Sequence, residues 1–195
     1  MLESNCSQTK ERTRLPEEEE EEIFIKEDPQ KVYCIVFPTK GKYEGNLLNG
    51  KKHGRGKLTT EDIVYDCNWV EDRMIGKGSY HQSKNGERYE GELKDYEANG
   101  QGTMTRADGD VYTGHWVNTV LHGKGTLKTG DGDLYEGNWV EGTLTGKGKY
   151  RLANGEVYEG EFSEGEKNGK GKLTRPDGWI IEGKWVNDEY VDKRK

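Results

Sequence analysis

Residues 135–150 read YEGNWVEGTLTGKGKY, a stretch that opens on Tyr135 and reaches the pair Gly146 and Gly148 eleven residues later. The same pattern occurs six times, with start-to-start spacings of 22 to 24 residues. The opening tyrosines are Tyr43, Tyr65, Tyr89, Tyr112, Tyr135 and Tyr158, and a truncated seventh copy starts at Ile181. A fixed period in this range predicts an array of structural repeats. Such an array presents an extended surface, so we expect function there rather than in one catalytic pocket.

Each repeat is predicted to form a β-hairpin. Apolar and polar residues alternate over residues 135–140 and again over residues 146–150, which is the periodicity of β-strands. Asn-Gly and Asp-Gly pairs predict tight turns between repeats, because these residues tolerate positive φ angles. The pairs are Asn85-Gly86, Asp108-Gly109, Asp131-Gly132, Asn154-Gly155 and Asp177-Gly178, and the first repeat has Glu61-Asp62 instead.

One face of the predicted sheet is aromatic, since side chains two residues apart in a strand share a face. This face collects the opening tyrosine, a glycine two residues later and a large apolar residue four residues later. The residues at the fourth position are Leu47, Trp69, Leu93, Trp116, Trp139, Phe162 and Trp185. Second strands add Leu58, Tyr80, Met104, Leu127, Tyr150 and Leu173. We predict that the glycines let aromatic rings lie flat across the neighbouring backbone.

The opposite face is predicted to be charged. First strands place an acid directly after the opening residue, at Glu44, Asp66, Glu90, Glu136, Glu159 and Glu182. Second strands place a base between the paired glycines, at Arg55, Lys77, Lys124, Lys147 and Lys170. Two interpretations stay open: a cross-strand charge ladder that helps to set the register, or charges that only keep this face solvated.

Composition divides the chain into a tail, a cap and the array. Residues 1–30 include six consecutive glutamates at positions 17–22, and such a block repels itself, so we predict an acidic disordered tail. Its one apolar cluster, residues 23–25, leaves open a role as a docking segment. Residues 31–42 are predicted to form a capping strand and turn, and residues 43–190 the array. A cap is expected because an open sheet edge invites pairing with other chains.

Net charge, cysteine spacing and the distribution of apolar residues limit the classes of function that we expect. The net charge is −7 and the pI about 5.3, which argues against nucleic-acid binding. Three widely spaced cysteines favour neither a disulfide framework nor a zinc site and fit a reducing compartment. With no long apolar stretch and no hydrophobic signal region, we expect a soluble cytoplasmic protein.

The sequence offers no enzymatic, cofactor or metal signature. The Gly-x-Gly pairs recur inside strands and lack the strand-to-helix context of a phosphate loop. Asp108-Gly109-Asp110 does not complete a calcium-loop pattern and is interpreted as a turn. We therefore expect a non-enzymatic protein with no cofactor and no metal.

The repeat resembles the MORN repeat (membrane occupation and recognition nexus) over about residues 32–190. The resemblance is carried by Tyr-Glu-Gly-x-Trp and Gly-x-Gly, nearly complete at residues 135–139, at residues 158–162 and at residues 89–93. Cys67 replaces glycine in the second repeat and Thr113 replaces the acid in the fourth. The resemblance implies an all-β fold: a single elongated, twisted antiparallel sheet of consecutive hairpins. It also implies a groove that binds peptide or helical segments, in a cytoskeletal or ciliary, radial-spoke-like assembly.

The aromatic face is therefore the predicted partner-binding site, because a long exposed aromatic patch usually marks an interaction surface. We predict contacts from Tyr89, Leu93, Tyr112, Trp116, Tyr135, Trp139, Tyr158 and Phe162. The competing interpretation is that these rings bury one another as an intrinsic core. An alternative function is a peripheral module that binds anionic membrane lipids through the lysines between the paired glycines. Pairing of sheet ends into a homodimer also stays open.

Overall fold

The computed structural model describes residues 31–37 and 41–191, which form one antiparallel sheet of 15 strands. The predicted tail, residues 1–30, lies outside the described residues. Strand order in the sheet equals strand order in the chain. The strands are β1 Tyr33–Phe37, β2 Gly41–Leu48, β3 Lys51–Thr59, β4 Ile63–Val70, β5 Arg73–Gln82, β6 Arg88–Lys94, β7 Glu97–Thr105, β8 Val111–Val117, β9 Val120–Lys128, β10 Leu134–Val140, β11 Thr143–Arg151, β12 Val157–Ser163, β13 Glu166–Thr174, β14 Ile180–Val186 and β15 Glu189–Tyr190. The predicted all-β sheet of consecutive hairpins is confirmed. Fourteen spacings of about 4.8 Å make the sheet roughly 67 Å long.

Each repeat is one hairpin, closed by a two-residue turn. Both turn residues have positive φ, as at Asn118 (48°) and Thr119 (65°). This is the type I′ geometry whose twist matches the right-handed twist of the flanking strands. The predicted Asn-Gly and Asp-Gly pairs connect one repeat to the next, and the glycine of every pair has positive φ. Five of the connections between repeats thus use Asn-Gly or Asp-Gly, and the same pair type, Asn49-Gly50, closes the first hairpin.

A β-bulge interrupts each of the first six hairpins at the first glycine of the Gly-x-Gly pair. In the fifth repeat the register runs from Gly137 opposite Gly148 directly to Asn138 opposite Thr145. Gly146 lies in the bulge with a φ of 68°, a conformation that costs a residue with a Cβ about 1 kcal/mol or more. The first glycine is thus a backbone requirement, and the second glycine has a different function in ring packing.

Among the described residues no second layer covers the sheet, yet most of its aromatic face is buried. Tyr43, Trp69 and Tyr158 each have 0% of their surface exposed. A single sheet is expected to leave part of each tyrosine and tryptophan accessible, and for these three residues that expectation is wrong. The burial comes from the rings of successive repeats, which pack against each other edge to face along the sheet.

The strand before the first repeat forms one edge of the described sheet. β1 pairs with β2, from Tyr33 opposite Gly45 to Phe37 opposite Gly41. Tyr33 is buried, whereas Val36 points away from the aromatic face and is exposed. This arrangement is what a capping strand requires, and the division into tail, cap and array stays a prediction.

Candidate partner-binding face

The tryptophans that lie four residues after the opening position are hydrogen-bonded to the backbone of the preceding strand. Each indole N–H donates a hydrogen bond to the carbonyl of the second glycine of the Gly-x-Gly pair next to it. The four bonds are Trp69 to Gly56 (3.0 Å), Trp116 to Gly102 (3.0 Å), Trp139 to Gly125 (2.9 Å) and Trp185 to Gly171 (3.1 Å). Because a glycine has no side chain, the indole can lie against the strand and satisfy its polar N–H at once. These four rings belong to the core of the array.

Tyr65, whose repeat has Cys67 in place of glycine, packs against Tyr80 and Tyr96. The other five opening tyrosines adopt two arrangements. In the inward one, the ring lies over the two facing glycines, and a methyl group added to either glycine would overlap with it. The hydroxyl then donates to the backbone carbonyl three residues ahead. The bonds are Tyr43 to Asn46 (3.0 Å), Tyr89 to Glu92 (3.0 Å) and Tyr158 to Glu161 (3.2 Å). Burial raises the pKa of these three tyrosines to about 12.

Two tyrosines, Tyr112 and Tyr135, are turned outward and only half-buried; we call them the displaced tyrosines. The Tyr112 hydroxyl lies 3.3 Å from an oxygen of Asp110, and Arg106 lies over the Tyr112 ring at 4.9 Å. The Tyr135 hydroxyl lies 3.5 Å from an oxygen of Asp133. Their acceptors are carboxylates at the turn between repeats rather than backbone carbonyls of the strand. The displaced tyrosines therefore keep ring surface that the inward tyrosines have lost.

The arrangement of each tyrosine depends on the residue that pairs, across the hairpin, with the large residue four positions after that tyrosine. Opposite Trp116 and Trp139 stand Leu121 and Leu144, whose side chains pack over the facing glycines and fill the space that an inward tyrosine occupies elsewhere. Where the tyrosine is inward, this position is Lys52, Ala98 or Lys167. The sequence interpretation missed this column. The recurrence of Met74, Ala98, Leu121 and Leu144 two residues before the paired glycines was the available signal.

Lys52 and Lys167 occupy equivalent sites near the two ends of the array. The Lys52 ammonium lies 4.9 Å from the Trp69 ring centroid and 3.6 Å from Asp72. Lys167 lies 5.1 Å from the Trp185 ring centroid and 3.5 Å from Asp188. Each lysine thus uses a cation–π contact and a carboxylate to keep its charge satisfied beside the aromatic face.

The eight predicted contact residues divide into six that are buried and two that are accessible. The exposed fractions of the buried six are 2% for Tyr89, 2% for Leu93, 3% for Trp116, 5% for Trp139, 0% for Tyr158 and 5% for Phe162. The other two are the displaced tyrosines. All eight lie on one face, so the structure brings them together, but a partner would meet mainly Tyr112 and Tyr135. Their role in binding stays a prediction.

Tyr96 is an accessible aromatic residue that the column pattern could not reveal. It sits at the second position of the β6–β7 turn with a φ of 74°, and its ring packs edge to face against Tyr65 (5.6 Å) and Trp69 (6.0 Å). It is 44% exposed. Turn positions follow no face periodicity, which is why this residue lay outside the predicted site.

The charged face is organised differently from the predicted ladder. The bases that stand directly opposite the acids follow the second glycine, as Lys149 does opposite both Glu136 and Glu159. Cross-strand ion pairs join Lys149 to Glu159 (2.6 Å) and Arg55 to Asp66 (2.7 Å). Within residues 31–37 and 41–191, Arg55 is the one base of the predicted column that has a carboxylate within 4.0 Å. The bases of the predicted column stand instead opposite the third residue after the opening position, as Lys147 does opposite Glu161.

Comparison with protein families agrees with this architecture. The MORN-repeat model matches five segments of the chain, residues 43–62, 89–111, 112–134, 135–157 and 158–180. Together these cover more than half of the sequence. The chain belongs to the MORN-repeat family. The repeat that opens at Tyr65 is not matched, and it is the repeat in which Cys67 replaces the glycine of the MORN pattern. The comparison with curated proteins found no match.

Family membership gives the general function. MORN repeats bind proteins or membranes, and MORN proteins are typically non-enzymatic scaffold modules.

Over residues 31–37 and 41–191, the His, Cys, Asp and Glu side chains form no group of three or more that could hold a metal ion. In the same part of the chain, no helix has the length and apolar character needed to cross a bilayer.

Proposed function

We propose that this MORN array is a non-enzymatic scaffold that binds an extended or helical segment of a partner protein along its aromatic face. The observation that carries the proposal is the outward arrangement of the displaced tyrosines in two consecutive repeats. Leu121 and Leu144 fill the core below them, so Tyr112 and Tyr135 are not needed to cover glycine backbone. Half-buried tyrosines held rigidly from below are the residue type that dominates binding energy at protein interfaces.

The spacing of the displaced tyrosines suits a peptide backbone. They stand on β8 and β10, two strands apart, and therefore roughly 9.6 Å from each other along the array. Three residues of an extended chain, or about six to seven residues of a helix, span this distance. A partner segment that runs across the strands could thus place one apolar side chain beside each tyrosine.

The setting is part of the same proposal. A cytoplasmic protein in a cytoskeletal or ciliary, radial-spoke-like assembly is what the family resemblance implies. An extended partner in such an assembly would match a rigid sheet roughly 67 Å long.

The proposal is tested by affinity capture from native lysate with three forms of the chain. The test variant is Tyr112→Ala/Tyr135→Ala. Its matched control is Val117→Ala/Val140→Ala, which changes two residues of the same repeats that are 40% and 47% exposed on the opposite face. Both variants should retain the wild-type melting temperature within a few degrees. We expect the wild type and the control to retain a partner that the tyrosine variant loses. Retention of the same partners by all three forms would contradict the proposal.

A second candidate function is the binding of anionic phospholipids through the charged face. It is supported by Lys77, Lys124, Lys147 and Lys170, which have no carboxylate within 4.0 Å among the described residues. Acids on the same face oppose it, because anionic membranes attract clusters of net positive charge. Flotation with phosphoinositide-containing liposomes at physiological salt discriminates between the two functions. Co-flotation that is lost on changing Lys124 and Lys147 to Glu would favour the lipid function, and absence of flotation would end it.

A further inference from the structure

The aromatic face ends near β1 in an open depression of about 740 Å³, which we call the N-terminal depression. Its apolar lining comes from Ile35 and Phe37 of β1, Leu47 of β2 and Leu58 of β3. Ile35 and Phe37 are only partly buried, in contrast to the neighbouring Tyr43 and Trp69, which are fully buried. The depression therefore offers accessible apolar surface continuous with the aromatic face.

The rim of the N-terminal depression is acidic. Glu61 and Asp62, from the connection between the first two repeats, line it together with Asp72. Asp72 is paired with Lys52, whose ammonium also lies over aromatic rings. Glu61 and Asp62 are exposed, and no side-chain hydrogen bond or ion pair to either carboxylate is found within residues 31–37 and 41–191. Three acids and one base leave the rim with a formal charge of −2.

We propose that the N-terminal depression binds a cationic amphipathic segment of a partner protein, with apolar side chains on the β1–β3 surface and basic side chains directed to Glu61 and Asp62. This inference rests on the proposed function, since it names the chemistry of the segment that the aromatic face binds. Charge complementarity selects the occupant: an acidic rim over an apolar floor attracts basic residues and repels acidic ones. The six-glutamate block of this chain's own residues 1–30 makes them a poorer match.

The first repeat is also where the chain departs from its own turn pattern. The other connections carry an Asn-Gly or Asp-Gly pair, whereas Glu61-Asp62 replaces that pair here. This connection is a shorter turn in which the Thr60 N–H donates to the Ile63 carbonyl (2.8 Å), and neither Glu61 nor Asp62 has a positive φ. Glycine is therefore not needed here, and the turn places two exposed carboxylates at the rim of the depression.

Fluorescence anisotropy with two labelled peptides tests the inference on the full chain. The probe is a 12-residue peptide of alternating leucine and lysine, and the matched control peptide has glutamate at every lysine position. The test variant is Glu61→Lys/Asp62→Lys. Its matched control is Glu90→Lys/Glu136→Lys, which makes the same change in net charge at exposed acids of the opposite face.

We expect the lysine peptide to bind the wild type and the Glu90→Lys/Glu136→Lys variant with similar affinity, and the Glu61→Lys/Asp62→Lys variant about tenfold more weakly. Raising the salt concentration should weaken binding to the wild type, because the rim is solvent-exposed and screened. Equal loss in both variants would reduce the effect to net charge and overturn the inference, as would equal binding of the glutamate peptide. Tighter binding to an Ile23→Ser/Phe24→Ser/Ile25→Ser variant would also overturn it, by assigning the depression to the chain's own apolar cluster.

The outcome is separable from that of the proposed function. If the lysine peptide fails to bind while Tyr112→Ala/Tyr135→Ala still loses a lysate partner, this inference is wrong and the scaffold proposal stands. If the peptide binds in the expected pattern while the tyrosine variant retains every partner, the depression is a site and the proposed contact at the displaced tyrosines is wrong.

Discussion

The arrangement of Tyr112 should be controlled by Leu121. Leu121 is 3% exposed and packs over Gly114 and Gly125, so Leu121→Ala removes buried surface that normally costs about 2–5 kcal/mol. The third repeat already has a small residue at this position, because Ala98 stands there and Tyr89 covers the glycine pair. We therefore expect Tyr112 to turn inward in the variant and to offset part of the loss.

The net cost of Leu121→Ala can be estimated from that comparison. It should be about 1–2 kcal/mol, which lowers the melting temperature by roughly 2–8 °C. Leu93→Ala is the matched control, because Leu93 is 2% exposed and already faces Ala98, so no side chain can replace it. Its cost should be about 3 kcal/mol, or roughly 6–12 °C.

A double-mutant cycle with Tyr112→Ala tests whether an inward Tyr112 ring offsets part of the cost of Leu121→Ala. In the wild type the half-buried ring contributes little, whereas in the Leu121→Ala background the inward ring covers the glycines and its removal should cost about 1 kcal/mol more. Thermal melting of the four proteins measures this coupling. Additive effects, together with a Leu121→Ala cost equal to that of Leu93→Ala, would show that the Tyr112 ring does not replace Leu121.

Three further predictions concern the packed rings. Gly171→Ala places a methyl group against the Tyr158 ring and should lower the melting temperature by several degrees, while the same change in a Tyr158→Ala background should cost little more than Tyr158→Ala alone. Trp139→Phe deletes the 2.9 Å bond to the Gly125 carbonyl and should cost about 2 kcal/mol, so an unchanged melting curve would argue against that bond. Above pH ~10 the array should lose stability, because burial raises the pKa of four tyrosines from 10.0 to about 12. Their contribution is complete below the unfolded pKa and is lost as pH rises through the folded pKa, which melting from pH 8 to 12 with tyrosinate absorbance would show.

Much of the fold could be predicted from one sequence because its determinants are local. The period of the opening tyrosine, the alternation within strands and the Asn-Gly and Asp-Gly turns all act within a few residues, and each of them is found in the sheet. The bulge at the first glycine was harder to predict, since Gly146 and Gly148 look alike in the sequence. Only the register shows that Gly146 provides positive φ and Gly148 provides a flat surface for a ring.

The accessible part of the site could not be predicted in the same way. Whether Tyr112 or Tyr89 keeps exposed ring surface depends on Leu121 or Ala98, which each tyrosine meets across the hairpin and not along the strand. Burial in a one-layer sheet also depends on contacts between successive repeats, such as the 5.9 Å edge-to-face pair of Tyr89 and Trp116. Column patterns assign residues to a face, but they do not determine which of those residues the face itself covers.

Photo-crosslinking from single positions tests directly whether a partner binds on the aromatic face. A photoreactive phenylalanine analogue placed at position 112 in one protein and at position 117 in another samples the two faces of the same strand, β8. We expect irradiation in native lysate to yield a protein adduct from position 112 and none of that mass from position 117. An adduct formed equally from both positions, or from position 117 alone, would contradict partner binding on the aromatic face.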